Sequence, residues 1–224
     1  MTAKIFIALM CICGLSQAQT NSEILRKFDF VQGDKILVLE NFSQDNLGDF
    51  PAKWTTNSGG EIVKLNGENW LNLGKNGVFM PQFINNLPDN FTFEFDVTCS
   101  ANFNFYSNPL HFSIAELAKP STDYVKWKMF TRMGRNGIEV GIHPKSVSTV
   151  NAKGTTNYQI YDNGKLGPKN KIIQNEFISD VKATVHVSIW RQKNRLRVYL
   201  NQEKVWDLPN ACVDEKKYNT ILFQ

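Results

Sequence analysis

Ala183-Thr-Val-His-Val-Ser-Ile-Trp-Arg-Gln-Lys-Asn-Arg-Leu-Arg-Val-Tyr-Leu200 reads as two strands and the turn between them. Ala183, Val185, Val187 and Ile189 alternate with Thr184, His186, Ser188 and Trp190; Leu196, Val198 and Leu200 alternate with Arg195, Arg197 and Tyr199. A period of two places the aliphatic set on one face of a sheet and the polar and aromatic set on the other. Arg191-Gln-Lys-Asn194 joins the two runs, with Asn194 expected in the left-handed conformation of a hairpin turn.

Working outward, the same alternation recurs in Phe91-Thr-Phe-Glu-Phe-Asp-Val97. Further strands are expected at Ile36–Phe42, Glu61–Leu65, Trp70–Leu73, Leu110–Ile114, Val125–Phe130, Ile138–Ile142, Tyr158–Tyr161, Lys204–Leu208 and Tyr218–Phe223. Turn signals separate them, among them Asn66-Gly67, Asn76-Gly77 and Asp162-Asn-Gly164. Only Ser22–Lys27 and Ser113–Leu117 suit short helices. Many short strands so punctuated imply an all-β chain, an antiparallel two-sheet β-sandwich, with residues 19–224 as one domain.

Residues 1–18 read as an export signal: Lys4, an apolar run Ile5–Leu15, and Ser16-Gln-Ala18 before the cut. The run is too short to span a bilayer of roughly 30 Å, and no later segment is apolar enough to do so. The mature chain is expected in the periplasm, at the outer membrane or outside the cell. It keeps Cys99 and Cys212, a disulfide candidate with two buried thiols as the alternative. A net charge of +4 over 224 residues, without a basic stripe, argues against a nucleic-acid binder.

Val185–Pro209, VHVSIWRQKNRLRVYLNQEKVWDLP, together with Phe42–Trp54, FSQDNLGDFPAKW, and Leu87–Val97, LPDNFTFEFDV, resembles the concanavalin A-like lectin/glucanase jelly rolls in their laminin-G-like branch. The three motifs in order are similar to the jelly-roll module of some OmpA-type envelope proteins of Bacteroidetes-like bacteria. Asn201-Gln202 stands where that family has Asn-Gly, and the resemblance implies one more strand after Phe223-Gln224. It implies a jelly roll whose hairpin forms one edge of the concave sheet. It also implies ligand contacts in the loop Asn102–Tyr106, where Asn104 and Tyr106 are nominated, and Ca²⁺ at rim carboxylates, here Asp45, Asp49 and Asp96.

The same fold carries laminarinase-like glycosidases, which place E-x-D-x-x-E on one strand with the two catalytic carboxyls about 5.5 Å apart. Glu94-Phe-Asp96 supplies the first two acids; the third position is Cys99, which cannot act as a carboxylic acid. His111, His143 and His186 show no zinc spacing, and no nucleophile elbow or phosphate loop is present. Binding features remain. Trp190 and Tyr199 share the polar side of the hairpin with Arg197, and the resemblance adds Glu94 to that face. The alternatives are cross-strand packing of the two rings or a cover laid by the N-terminal segment. Lys165, Lys169 and Lys171 read as a basic loop, either solvated or in contact with an anionic envelope polymer.

Three readings follow: an exported, non-catalytic module binding a glycan or cell-envelope polymer; a structural or protein–protein module of the outer envelope, with an outer-membrane protein as partner; and a glycoside hydrolase or lyase of the same fold.

Overall fold

The computed structural model describes residues 28–100, 103, 106–128, 133–148 and 152–224. The export signal, the helix expected at Ser22–Lys27 and Asn104 lie outside the described residues. Apolar alternation builds two antiparallel sheets. The larger orders its seven strands as β1 (Trp54–Thr56), β4 (Phe79–Pro81), β13 (Thr220–Phe223), β6 (Leu110–Ala115), β7 (Gly137–His143), β8 (Gly154–Asp162) and β9 (Lys165–Gln174). The smaller runs β12 (Glu203–Leu208), β11 (Arg195–Leu200), β10 (Thr184–Gln192) and β5 (Asn90–Thr98). A separate hairpin pairs β2 (Gly60–Leu65) with β3 (Glu68–Leu73) across Asn66 and Gly67, both at positive φ as a tight two-residue turn requires.

The core lies between the sheets. Phe112, Ile114, Ile138, Val140, Ile142 and Ile221 from the larger sheet meet Val185, Val187, Ile189, Leu196, Val198 and Leu200 from the smaller. Each such side chain contributes roughly 1.5–3 kcal/mol by leaving water. Trp206 Nε1 donates to Thr156 Oγ1 at 2.9 Å, a polar tie from β12 to β8 across the layer. Phe93, Phe95 and Val97 turn inward from β5, so Thr92, Glu94 and Asp96 face out, as the alternation dictates.

Several expectations need correction. In the β10–β11 turn Lys193, not Asn194, takes positive φ (51°). Residues 36–42 form no strand; they run over the surface with Ile36, Leu37, Val38 and Leu39 exposed. Ser113–Leu117 is not helical, because Phe112 and Ile114 belong to the core face of β6. Of the strand expected at Val125–Phe130, the described residues 125–128 form none: Tyr124–Trp127 is a 3₁₀ turn following the helix α1 (Pro120–Asp123), and its spacing buries Tyr124 and Trp127 together. These two rings join Val78, Met80, Ala115, Leu117, Tyr161 and Leu222 in a second apolar cluster, built on the outer side of the larger sheet. The basic stretch around Lys169 is strand β9, an edge of that sheet, rather than a loop.

Candidate functional site

The outer face of the smaller sheet holds Trp190, Tyr199, Arg197 and Glu94, where the alternation put them. It is not open. The N-terminal segment crosses it: the Phe28 and Phe30 rings meet Tyr199 edge-on at 5.6 and 5.4 Å, and Phe30 meets Trp190 at 6.2 Å. Between the two phenylalanines, Asp29 accepts a hydrogen bond from the Tyr199 hydroxyl at 2.9 Å and pairs with Lys204 at 3.1 Å. Gly33 N–H donates to Thr92 Oγ1 at 3.2 Å, carrying the strap on to β5. Tyr199 is 0% exposed. Burial, then the bond to the Asp29 carboxylate, push its phenol well above the usual range. A sugar therefore cannot stack on Tyr199 while the strap is in place.

Several polar side chains on this face are engaged with one another. The Arg197 guanidinium lies 4.6 Å over the Trp190 ring and faces Asp207 at 3.6 Å; Asp207 also takes a bidentate pair from Arg195 at 2.7 and 2.8 Å. That pair holds the Asp207 carboxyl below the usual carboxylate range. Glu94 and Asp96 share one imidazole: His186 Nε2 lies 3.0 Å from Glu94 Oε2, and Nδ1 lies 2.7 Å from Asp96 Oδ1. The ring donates to both carboxylates at once only when each nitrogen carries hydrogen, which is the imidazolium form. Burial alone would lower the His186 pKa; the hydrogen bonds to Glu94 and Asp96 outweigh it and raise it. His186 had no assigned partner in the sequence because its partners lie on a strand distant in the chain.

The remaining nominated residues do not assemble. Tyr106 is 92% exposed on its loop. Asp45 Oδ1 accepts from Ala52 N–H at 3.0 Å and Asp49 Oδ2 accepts from Asn46 Nδ2 at 3.2 Å, whereas Asp96 belongs to β5 and its histidine. Ca²⁺ takes about six to eight oxygen ligands; among the described residues no three His, Cys, Asp or Glu side chains come together to hold a metal. The donor set does not fit that ion. Cys99 and Cys212 are free and buried rather than bridged, and burial pushes each thiol up to about 11.

The outer face of the larger sheet is built differently. At its centre Glu139 of β7 is paired with Arg135 at 3.0 Å and accepts from Gln224 Nε2 at 2.7 Å. Arg135 also donates to the carbonyls of Lys126 and Lys128 and is stacked on Trp127 and Tyr161 at 5.0 and 5.1 Å. This block fixes one half of the face. Beside it, strand register sets His111 (β6), Gly141 (β7), Asn157 (β8) and Lys171 (β9) in one row. Gly141 is needed there: a Cβ on it would lie 2.5 Å from His111 Cδ2 and 2.6 Å from Asn157 Oδ1, so the imidazole and the carboxamide lean together over the bare glycine.

Neither ring nitrogen of His111, nor the Asn157 amide, nor the Lys171 ammonium has a side-chain hydrogen-bond partner among the described residues. Burial lowers the His111 pKa, keeping the ring neutral with one donor and one acceptor. Sequence reading missed this row. The available signal was Gly137-Ile-Glu-Val-Gly-Ile-His143, where a glycine interrupts the outward positions of a strand and marks a close approach.

No family model and no curated protein sequence matches this chain. Among solved structures it is similar to a glycoside hydrolase family 16 endo-glucanase from Bacteroides ovatus, with TM-score 0.54 and 13% identity over 84% of this chain and 85% of that one. It is also similar to the carbohydrate recognition domain of Emp46p in its potassium-bound form (TM-score 0.53, 13% identity, 77% and 80% covered). The exoplasmic/lumenal domain of VIP36, in a Ca²⁺- and mannose-bound form, gives TM-score 0.51 at 9% identity over 78% and 76%. The fold is that of the concanavalin A-like jelly rolls.

Within this jelly roll the pattern Glu94-x-Asp96-x-x-Cys99 does not present three groups to one ligand. Glu94 and Asp96 are held by His186, while Cys99 lies beyond the end of β5, its thiol buried and 3.9 Å from the Ile178 carbonyl. No helix among the described residues is long and apolar enough to cross a membrane.

Proposed function

We propose that this chain is an exported, non-catalytic module that binds glycan on the outer face of the larger sheet, at His111, Asn157 and the β9 edge. One observation carries the reading: the row His111–Gly141–Asn157–Lys171 presents donors and acceptors unused within the protein, whereas Tyr199, Glu94, Asp96 and His186 on the opposite face are engaged. Sugar hydroxyls need such groups, and a site that holds them in fixed directions loses little entropy on binding. The jelly-roll fold, shared with carbohydrate-recognising and glucan-cleaving proteins, supports the reading. The signal-like residues 1–18 support export, and the similarity of the three motifs to an OmpA-associated module supports a place at the bacterial outer membrane.

Two features support a binding rather than a hydrolytic role. Glu139 is the one carboxylate in the row His111–Gly141–Asn157–Lys171 and the adjacent row Ser113–Glu139–Gln159–Lys169, and it is tied to Arg135 and Gln224. Retaining and inverting glycosidases both require a pair of carboxyl groups flanking the bond. Affinity electrophoresis of the protein through gels containing neutral and acidic polysaccharides tests the proposal. At least one glycan should retard the wild type, Asn157→Ala and His111→Ala should lose that retardation, and Trp190→Ala should keep it. Retardation lost in Trp190→Ala alone would move the site to the other sheet; reducing-sugar release by the wild type would make it an enzyme.

A second reading has its own observation. Ile36, Leu37, Val38 and Leu39 are 77, 62, 45 and 80% exposed, and no main-chain group of residues 34–41 pairs with another described residue. Such a run suits addition to the sheet edge of a partner protein, the role of an envelope interaction module. Ile36→Asp with Leu39→Asp should leave glycan retardation intact under the first reading. Under the second it should abolish co-purification with an outer-membrane partner.

A further inference from the structure

We infer that the glycan taken by the larger sheet is an acidic polysaccharide, whose carboxylate or sulfate groups meet Lys169 and Lys171. The inference rests on the site proposed above and adds the charge class of its ligand. Lys169 and Lys171 lie two residues apart on β9, opposite Gln159 and Asn157 in the register, so both ammonium groups rise on the same face as His111. Neither ammonium has an ion-pair or hydrogen-bond partner among the described residues.

Three other charges on or beside this face are neutralised locally. Glu139 is matched by Arg135 at 3.0 Å, Lys126 by Asp123 at 3.2 Å, and Asp162 by Lys216 at 2.6 Å. Lys165, which belonged to the same basic cluster in the sequence, sits opposite Asp162 at the hairpin end and adds to the field that lowers the Asp162 pKa, so it is excluded. The whole strand Lys165–Gln174, KLGPKNKIIQ, has no acidic residue. What remains is a row that changes character along its length. A neutral imidazole and a carboxamide over Gly141 suit hydroxyl groups, and two unmatched cations on the next strand out, β9, suit anions. Neighbouring strands are about 4.8 Å apart, so a chain of sugars lying across β6 to β9 would meet both kinds of group.

The test is titration of the full chain with three polymers: a polyuronate, a sulfated glycan and a neutral glucan, at low and high salt. The proteins are wild type, Lys169→Glu/Lys171→Glu and Asn157→Ala. Both lysines are on the surface, so the reversed variant should keep the wild-type melting temperature. The expected result is that one or both anionic polymers bind about tenfold or more tightly than the glucan, two exposed charge contacts supplying that factor. High salt should erase the difference, and so should the double charge reversal; whichever anionic polymer responds identifies carboxylate or sulfate as the group recognised. Equal binding of the neutral glucan, or anionic binding unchanged by the double reversal, overturns the inference while leaving the proposed site standing. Failure of every polymer to bind overturns both.

Discussion

Replacing Arg135 with Met should be among the most damaging single changes in the chain. The guanidinium is 4% exposed and Glu139 7%. It makes four contacts at once: to Glu139 Oε2 at 3.0 Å, to the Tyr161 hydroxyl at 3.3 Å, and to the carbonyls of Lys126 and Lys128 at 3.0 and 2.8 Å. Methionine keeps much of the volume between Trp127 and Tyr161 but leaves Glu139 buried without a cation. Removing one member of a buried pair costs about 3–5 kcal/mol, mostly through the charge left behind. At about 2–4 °C per kcal/mol for a domain of this size, the melting temperature should fall by roughly 6–20 °C. Adding Glu139→Gln to Arg135→Met removes the stranded charge and should recover part of the loss. Thermal and guanidinium denaturation followed by circular dichroism measure both variants. A single variant within about 1 kcal/mol of wild type, the range of an exposed pair, would refute this account of the face, as would a double variant less stable than the single.

The other predictions concern the opposite face and the core. Because both nitrogens of His186 are bonded to carboxylates and its pKa is raised in the folded chain, its contribution to stability should be full at acidic pH, below the unfolded value near 6.5, and lost as pH rises through the folded pKa. The stability gap between wild type and His186→Asn, from denaturant titrations, should therefore narrow from pH 5.5 to 9; a widening gap would contradict the assignment. Phe30→Ala should cost about 2–4 kcal/mol by stripping the ring from Tyr199 and Trp190, and Tyr199 should then become reactive to tetranitromethane. Cys99 and Cys212, with thiols near 11, should resist alkylation at pH 8 in the native chain and react once it is unfolded. Gly141→Ala should push His111 and Asn157 apart and weaken glycan retardation about tenfold or more, with little change at the smaller sheet.

The strands were legible where alternation is strict. Phe93, Phe95, Val185, Val187, Ile189, Leu196, Val198 and Leu200 point inward as their spacing demands, because a period of two has one physical solution in a half-buried sheet. Segments without alternation misled. Ile36–Leu39 is apolar throughout, a pattern that suits a strand buried on both faces, yet it found no sheet partner. The Lys-rich β9 was hidden by Gly167 and Pro168, which an edge strand tolerates. The outward orientation of Trp190 and Tyr199 was also legible, but the bond that closes over them joins residues 170 apart in sequence, Tyr199 and Asp29. For the same reason His111 and Gly141 could each be placed on a strand and Asn157 just before one, while the order β6-β7-β8 that makes them neighbours is a property of the assembled sheet.

The account turns on which sheet meets the ligand, and side-chain and amide NMR of the labelled protein during addition of the best-retarded polysaccharide answers that directly. Resonances of His111, Gly141, Asn157 and Lys171 should shift and saturate together, while those of Trp190 and His186 stay in place. Saturable shifts confined to Trp190, His186 and the Phe28–Phe30 strap would contradict it.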